Sequence, residues 1–95
     1  MHQVVFVDVD DTLIRTVGSK RIPMVRMVDR IKQLAESPVT MYLWSSGGAD
    51  YAREVAAELG ISSCFEGFLP KPTLLIDDQH PAEWRYLRHE LPNSV

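Results

Sequence analysis

The chain has 95 residues, of which 45% are hydrophobic and 24% charged, with a formal net charge of -3 and an isoelectric point near 5.5. This length suits one domain over residues 1–95, and so small a charge gives no general attraction to nucleic acid or anionic lipid. The single cysteine, Cys64, cannot form an internal disulfide and is expected to be a small apolar core residue. Because no stretch is typical of a signal peptide or a membrane-spanning helix, the sequence predicts a cytoplasmic protein.

Strand-like and helix-like patterns alternate along the first half of the chain. An apolar run over residues 4–7 predicts a buried parallel strand, which ends at Asp8. A polar, Gly-containing loop over residues 15–22 follows, and Pro23 suits the first turn of a helix that Ser37 and Pro38 end. Residues 39–44 predict a second strand.

The second half continues the alternation. Asp50 is a fair cap for a second helix, and Gly60 is a good stop for it. Residues 65–69 predict a short third strand and residues 74–76 a fourth. Pro81 opens a last helix, whose inner face would carry Trp84, Leu87 and Leu91. The sequence therefore predicts an α/β, Rossmann-like domain in three layers, with about four parallel strands ordered 4-1-2-3.

Polar side chains follow each of these strands where parallel strands would bring them to one edge of the sheet. They are Asp8 and Asp10 after the first strand, Ser45 after the second, and Lys71, Asp77 and Asp78 around the fourth. Acids so close together repel one another unless a cation or strong donors lie among them, and a site rich in hard oxygen ligands favours Mg²⁺. Such a set contains a carboxylate nucleophile, a second carboxylate for proton transfer, and a hydroxyl and an ammonium for phosphate oxygens. The hypothesis is Mg²⁺-dependent phosphoryl transfer.

Four motifs in order resemble those of the haloacid dehalogenase superfamily of aspartate-nucleophile phosphotransferases, over roughly residues 3 to 80. The run from Asp8 to Thr12 resembles the first motif, Asp-x-Asp-x-Thr after an apolar strand, and Ser45 resembles the second. Lys71 resembles the third, and Asp77-Asp78 the paired-acid form of the fourth. Residues 44–52 also resemble the second-motif region of the capless carboxy-terminal-domain phosphatases of that superfamily.

The resemblance implies a role for each matching position. Asp8 would attack phosphorus and become an aspartyl phosphate, while Asp10 would protonate the leaving oxygen and then accept a proton from the hydrolytic water. Ser45 and the amide of Ser46 would bind phosphoryl oxygens, and Lys71 would offset their charge. Mg²⁺ would be bound by Asp8, the Asp10 carbonyl and Asp78. Asp77 would orient Lys71, and Thr12 would be a supporting residue.

Several alternatives stay open on the sequence. Asp10 could be the nucleophile in a register shifted by two residues, and Ser46 competes with Ser45 for the phosphate. Glu83 stands where some relatives carry a further acid, or on a helix surface. An EF-hand calcium loop does not fit, because Leu13 stands where that loop needs Gly. A phosphoacceptor receiver-like domain and a catalytically idle binding module are the competing functions.

The short segments before Pro23 and Lys71 leave no room for the cap domains that this family inserts there. An open cleft is expected, covered by the loop that carries Arg15, Lys20 and Arg21, which could meet an anionic substrate. Two arrangements would close such a cleft: a large phosphorylated substrate of unknown identity, or a second subunit in a homo-oligomer.

Overall fold

Parallel strands with helices between them form the centre of the fold. The computed structural model describes residues 2–92, and its regular elements follow one another as a β-α-β-α-β chain with a hairpin inserted after the first strand. The elements are β1 (Gln3–Asp8), β2 (Ile14–Val17), β3 (Lys20–Pro23), α1 (Val25–Ala35), β4 (Val39–Ser45), α2 (Ala49–Leu59) and β5 (Gly67–Pro70). Short 3₁₀ turns cover Ser62–Cys64 and Pro81–Glu83. None of the helices in the described part of the chain has the length and apolar character needed to cross a bilayer.

The main sheet has three parallel strands in the order β1-β4-β5. Asp8 is in register with Trp44, and Ser45 with Pro70, so the three strands end along one edge. The predicted α/β class and the order of the first three parallel strands are therefore confirmed. This edge is where the sequence predicted the functional groups.

Both helices pack on the same face of this sheet. Alternate residues of β4, Met41 and Leu43, are buried in a cluster with Ile31 of α1 and Val55 of α2. Two right-handed crossovers that step in the same direction across a sheet place both helices on one side, which accounts for this arrangement. Cys64 is partly buried at the edge of the same cluster.

The other face of the sheet carries aromatic side chains that pack on one another. The ring of Phe6 lies 5.3 Å from that of Tyr42 and 4.9 Å from that of Trp44, centroid to centroid. Phe6 and its neighbour Val4 remain exposed. Within residues 2–92 the helices form one layer against the sheet, so the predicted three-layer architecture is wrong for this part of the chain.

The predicted fourth strand over residues 74–76 is also wrong. Leu74, Leu75 and Ile76 are 76%, 50% and 88% exposed and belong to no strand. A parallel neighbour for β1 would have to be reached from the far edge of the sheet, and a parallel crossover needs about a dozen residues or more. The link after β5 is far shorter, since β5 ends at Pro70.

The predicted last helix forms only the 3₁₀ turn Pro81–Glu83. Leu87 and Leu91 are exposed, and Trp84 is half-buried. Most of a short helix's stability comes from packing its apolar stripe, and without a fourth strand these residues gain no such surface. An ion pair of 3.5 Å between Arg30 and Glu90 ties this segment to α1.

The predicted polar loop before α1 is a β-hairpin. Strands β2 and β3 pair antiparallel around the two-residue turn Gly18-Ser19, with Gly18 at a φ of 61°. Ile14 at its base is buried, which anchors the hairpin to the core. Pro23 ends β3 instead of opening the helix, and α1 begins at Val25.

Candidate active site

A tight backbone turn follows β1 and fixes the two candidate acids beside it. The carbonyl of Val9 accepts hydrogen bonds from the amides of Thr12, Leu13 and Ile14, at 3.3, 2.9 and 3.3 Å. The side chains of Val9, Leu13 and Ile14 are buried, so the turn is held from beneath by the core. Asp11 takes the left-handed conformation, with a φ of 60°, where the chain reverses.

Asp8, the last residue of β1, has a partner for each carboxylate oxygen. Lys71 Nζ lies 2.9 Å from Oδ1, and Thr12 Oγ1 donates a hydrogen bond of 3.0 Å to Oδ2. The Asp8 side chain is 31% exposed, so its oxygens can be reached from solvent. Three residues that the sequence predicted for one site are therefore in contact.

The backbone of β4 fixes Lys71 in this position. The amide of Lys71 donates a hydrogen bond of 2.9 Å to the carbonyl of Ser45, which continues the pairing of β5 with β4 by one residue. From there the lysine side chain spans the end of β4 to reach Asp8 on β1. Pro70 and Pro72, on either side of Lys71, stiffen the backbone that carries it.

Ser45 and the loop after it form the neighbouring part of the edge. Ser45 is buried, and its Oγ accepts a hydrogen bond of 3.0 Å from the amide of Gly47. Ser46 is exposed beside it, and α2 then begins with Gly48 at the cap position, where no side chain caps the first amides. A serine hydroxyl, free helix amides and a lysine ammonium suit the oxygens of an anion.

Asp10 contacts a residue that the sequence analysis did not single out. Tyr51, in the first turns of α2, donates a hydrogen bond of 2.7 Å from its hydroxyl to Asp10 Oδ1. Partial burial, together with this bond and the charge of Asp10, raises the pKa of Tyr51 to about 12. The phenol therefore keeps its proton and remains a donor throughout the neutral range.

Arg21 of β3 packs on the same tyrosine. Its guanidinium carbon lies 5.1 Å from the Tyr51 ring centroid, and its nitrogens lie 2.7 Å from Glu58 and 3.7 Å from Glu54 on α2. The hydrogen bond to Glu58 raises the pKa of Arg21. Of the three basic residues expected to meet an anionic substrate, Arg21 is thus engaged by acids of the protein itself, while Arg15 and Lys20 are exposed.

One signal in the sequence could have identified Tyr51. A Cβ atom at Gly47 would lie 2.9 Å from the Cδ2 atom of the Tyr51 ring and 3.3 Å from Ser45 Oγ. Glycine at this position therefore makes room for the ring four residues later. The pair is visible in the sequence, but its partner Asp10 is 41 residues away from Tyr51 along the chain.

We expect the Tyr51 phenol to ionise at a pH near 12, and the substitution Asp10→Asn to lower that value. The change removes the negative charge that opposes a phenolate, while burial, the larger cause, keeps the pKa above its ordinary 10.0. Because folding raises the pKa of Tyr51, the protonated phenol contributes to the stability of the folded state below pH 10. This contribution is lost as the pH rises through about 12. Phenolate absorbance, assigned with Tyr51→Phe, measures the ionisation. An unshifted Tyr51 in the wild type would contradict the contact.

The two remaining acids of the predicted site lie after β5 in a segment that forms no strand. Asp77 Oδ1 accepts a hydrogen bond of 2.9 Å from the amide of Gln79, whereas Lys71 pairs with Asp8, so Asp77 does not orient Lys71. Asp78 follows it in the segment that forms no strand. Both belong to a concave patch, which is lined by Asp77, Asp78, Gln79, Trp84, Arg85, Tyr86 and Leu87. Glu83 is exposed in the 3₁₀ turn beside this patch.

Two of the three predicted Mg²⁺ ligands, the Asp8 carboxylate and the Asp10 backbone carbonyl, belong to the end of β1 and the turn after it, whereas Asp78 lies in a segment that forms no strand. Over residues 2–92, no three or more histidine, cysteine, aspartate or glutamate side chains are gathered so that they could hold a metal ion. The missing fourth strand is the physical reason, because it would have brought Asp78 to the edge beside β1. What the edge does offer is the Asp8 carboxylate with the main chain of Asp10 beside it, and Mg²⁺ is often held by one or two carboxylates together with substrate phosphate and water.

Comparison with known proteins gives one family. A family model described as "Protein of unknown function (DUF705)" matches residues 1–86, which includes the whole site. No curated protein and no solved structure gives a significant match.

Proposed function

The chain belongs to the DUF705 family, and we propose that it is a phosphoric monoester hydrolase that acts through an aspartyl-phosphate intermediate. The observation that supports this most strongly is the environment of Asp8. A partly exposed carboxylate at the end of a parallel strand is contacted by a lysine ammonium at 2.9 Å and by a threonine hydroxyl at 3.0 Å. The uncapped start of α2 follows the next strand of the sheet.

In the first step of the proposed reaction, an Asp8 oxygen forms a bond to phosphorus as the bond from phosphorus to the ester oxygen breaks. The leaving oxygen takes a proton from Asp10, which lies two residues beyond the nucleophile. In the second step, water attacks phosphorus and releases Asp8, while Asp10 accepts the proton from that water. Phosphate and alcohol are the products, and both carboxyl groups return to their starting states.

The groups around Asp8 would hold the phosphoryl oxygens and balance their charge. Lys71 is fixed through its backbone and is 39% exposed, so it can contact both Asp8 and a bound phosphate. The Ser45 hydroxyl and the amide of Ser46 lie at the neighbouring strand end. Donors placed in advance where charge develops stabilise a transition state more than mobile water does.

Mg²⁺ remains part of the proposal, with the Asp8 carboxylate and the Asp10 backbone carbonyl as its protein ligands and without Asp78. When bound, the ion would reduce the repulsion between the carboxylate nucleophile and the phosphate. The finer fold assignment is a proposal too: a capless relative of the haloacid dehalogenase fold. It is supported by the order β1-β4-β5 and by the positions of Asp8, Ser45 and Lys71 at the strand ends.

The test is turnover of an aryl phosphate by the wild-type protein with and without Mg²⁺. Release of many phosphates per protein molecule supports the hydrolase. A single long-lived phosphoryl group per molecule favours a receiver-like phosphoacceptor. If the protein neither releases phosphate nor becomes phosphorylated, an idle binding module is favoured. The receiver-like alternative is less well supported, because receivers accept phosphate after a middle strand, and the middle strand here ends in Ser45.

We expect Asp78→Ala to leave the Mg²⁺ dependence of the rate unchanged. The side chain lies in the concave patch with Trp84 and Tyr86, outside the group formed by Asp8, Thr12 and Lys71. Mg²⁺ titrations of the rate for this variant and the wild type measure the effect. A variant that needs several times more Mg²⁺ would instead identify Asp78 as a ligand and imply that its segment rearranges.

We also expect a large substrate, such as a phosphorylated protein or a nucleic-acid end, to be hydrolysed better than a small ester. Residues 2–92 form no cap domain over the edge, and a large substrate could exclude water itself. Arg15→Ala should lower kcat/KM for such a substrate more than for an aryl phosphate, because the exposed Arg15 lies on the hairpin beside the site. Light scattering tests the other arrangement, a second subunit over the edge. Fast, selective turnover of one small metabolite by a monomer would contradict both.

A further inference from the structure

A continuous set of contacts joins the hairpin, α2 and the turn after β1 that carries Asp10 and Asp11, which we call the acidic turn. It runs from Glu58 to Arg21 at 2.7 Å, from Arg21 to the ring of Tyr51 at 5.1 Å, and from the Tyr51 hydroxyl to Asp10 at 2.7 Å. The hairpin and α2 are separate elements, and they meet the acidic turn through these side chains. The contacts therefore link the Asp10 carboxyl group, which is proposed to transfer the proton, to both α2 and the hairpin.

Among the described residues, only one of the two carboxylate oxygens of Asp10 has a hydrogen-bond partner. Tyr51 engages Oδ1, whereas Oδ2 accepts no hydrogen bond from any residue between 2 and 92. Asp10 itself is exposed, so without this bond its side chain would be free to change rotamer in solvent. Tyr51 has little freedom of its own, because Gly47 packs against one side of its ring and Arg21 lies over it. One oxygen of Asp10 is thus held and the other is open.

We propose that Tyr51 is the positioning residue for Asp10, and that Arg21 of the hairpin keeps Tyr51 in place. By holding Oδ1, Tyr51 presents Oδ2 to the leaving oxygen of the substrate. The proposal rests on the proposed function, since the proton transfer by Asp10 belongs to it. The role of Arg21 also follows: this residue acts on Asp10 through Tyr51 and does not meet the substrate.

The main variant is Tyr51→Phe, with Tyr86→Phe as the matched control, since Tyr86 is 84% exposed on the C-terminal segment. A mispositioned acid slows esters whose leaving group needs a proton and spares those that leave unaided. We expect kcat/KM, which reports the formation of the aspartyl phosphate, to fall about tenfold for phenyl phosphate in Tyr51→Phe and to change by less than about twofold for dinitrophenyl phosphate. An equal loss of kcat/KM with both esters would indicate a structural effect and would overturn the proposal.

Two further variants test whether the residues act in series. In an Asp10→Asn background, Tyr51→Phe should cause no additional loss, since the group it positions has gone. Arg21→Met should show the same dependence on the leaving group as Tyr51→Phe, in a weaker form. An additive loss in the double variant would overturn the link from Tyr51 to Asp10. Equal kcat/KM values for phenyl phosphate in Arg21→Met and the wild type would show that Arg21 does not keep Tyr51 in place.

A measurement without turnover separates this proposal from the proposed function. Three-bond NMR couplings report the χ1 rotamer of Asp10, which should be single in the wild type and averaged in Tyr51→Phe. A single rotamer in both proteins would overturn the positioning role even if the enzyme is active. Rotamer averaging on substitution in a protein that hydrolyses no phosphate ester would leave the positioning intact and overturn the chemistry assigned to Asp10.

Discussion

Asp8→Asn should abolish the hydrolysis of an aryl phosphate, with a loss of more than about a thousandfold in kcat. An amide is far too weak a nucleophile to attack phosphorus, and it also loses the charge that pairs with Lys71 at 2.9 Å. The substitution keeps the shape of the side chain: Oδ1 can still accept from Lys71, and the Thr12 hydroxyl can accept from the new Nδ2. The fold should therefore persist while the chemistry stops. Phosphate release measures the loss.

The matched control for this variant is Asp11→Asn, in the same acidic turn. Asp11 has a φ of 60° and an exposed side chain, and asparagine tolerates that conformation well. The Asp11→Asn protein should release phosphate at the wild-type rate. Mass spectrometry excludes deamidation of the new asparagine, and circular dichroism checks the fold. Undiminished turnover by an intact Asp8→Asn protein would remove Asp8 as the nucleophile.

A trapping experiment on the wild-type protein tests the shifted register, in which Asp10 would be the nucleophile. Reductive trapping of the acyl phosphate marks the residue that carries it, and peptide mapping distinguishes Asp8 from Asp10. We expect the mark on Asp8, because that side chain has the lysine contact, whereas Asp10 is bound to the neutral hydroxyl of Tyr51. A mark on Asp10 would also overturn its assignment to proton transfer.

The part of the fold that could be predicted from the sequence is the part with strong local patterns. The apolar run of β1, the alternating burial of β4 and the apolar stripes of α1 and α2 each leave a periodic signal, and their order along the chain dictates a parallel sheet. The contact between Asp8 and Lys71 was predicted as well, although the sequence analysis placed Lys71 beside a fourth strand that does not form. In the structure, Asp8 ends β1 and Lys71 directly follows β5, and these parallel strands end at one edge of the sheet.

The failures have a different origin. Residues 74–76 have the composition of a strand, but whether they join the sheet depends on the length of the connection from β5, which the pattern does not contain. The hairpin depended on the turn at Gly18, in a segment whose polar side chains suggested a loop. Tyr51 was missed because its partner lies in another element and because an aromatic residue on a helix usually belongs to the core.

Lys71→Met should lower kcat/KM for an aryl phosphate by about 10²–10³ while leaving the fold intact. Lys71 is the cation that contacts Asp8, and removing its charge leaves the nucleophile and the incoming phosphate to repel each other across the edge of the sheet. Methionine keeps the length of the side chain, and the backbone amide still donates to the carbonyl of Ser45. The side chain is 39% exposed, so the substitution should alter stability little.

Two matched variants separate the charge of Lys71 from its position. Lys20→Met removes an exposed lysine from the start of β3 in the hairpin and should keep the wild-type rate for the aryl phosphate. Lys71→Arg restores the charge on a broader group, which fits a compact contact of 2.9 Å less well, so its rate should lie between those of the wild type and Lys71→Met. If Lys71→Met hydrolyses the ester as fast as the wild type, the ion pair with Asp8 is a surface contact, and the charge balance proposed for the site has to come from another group.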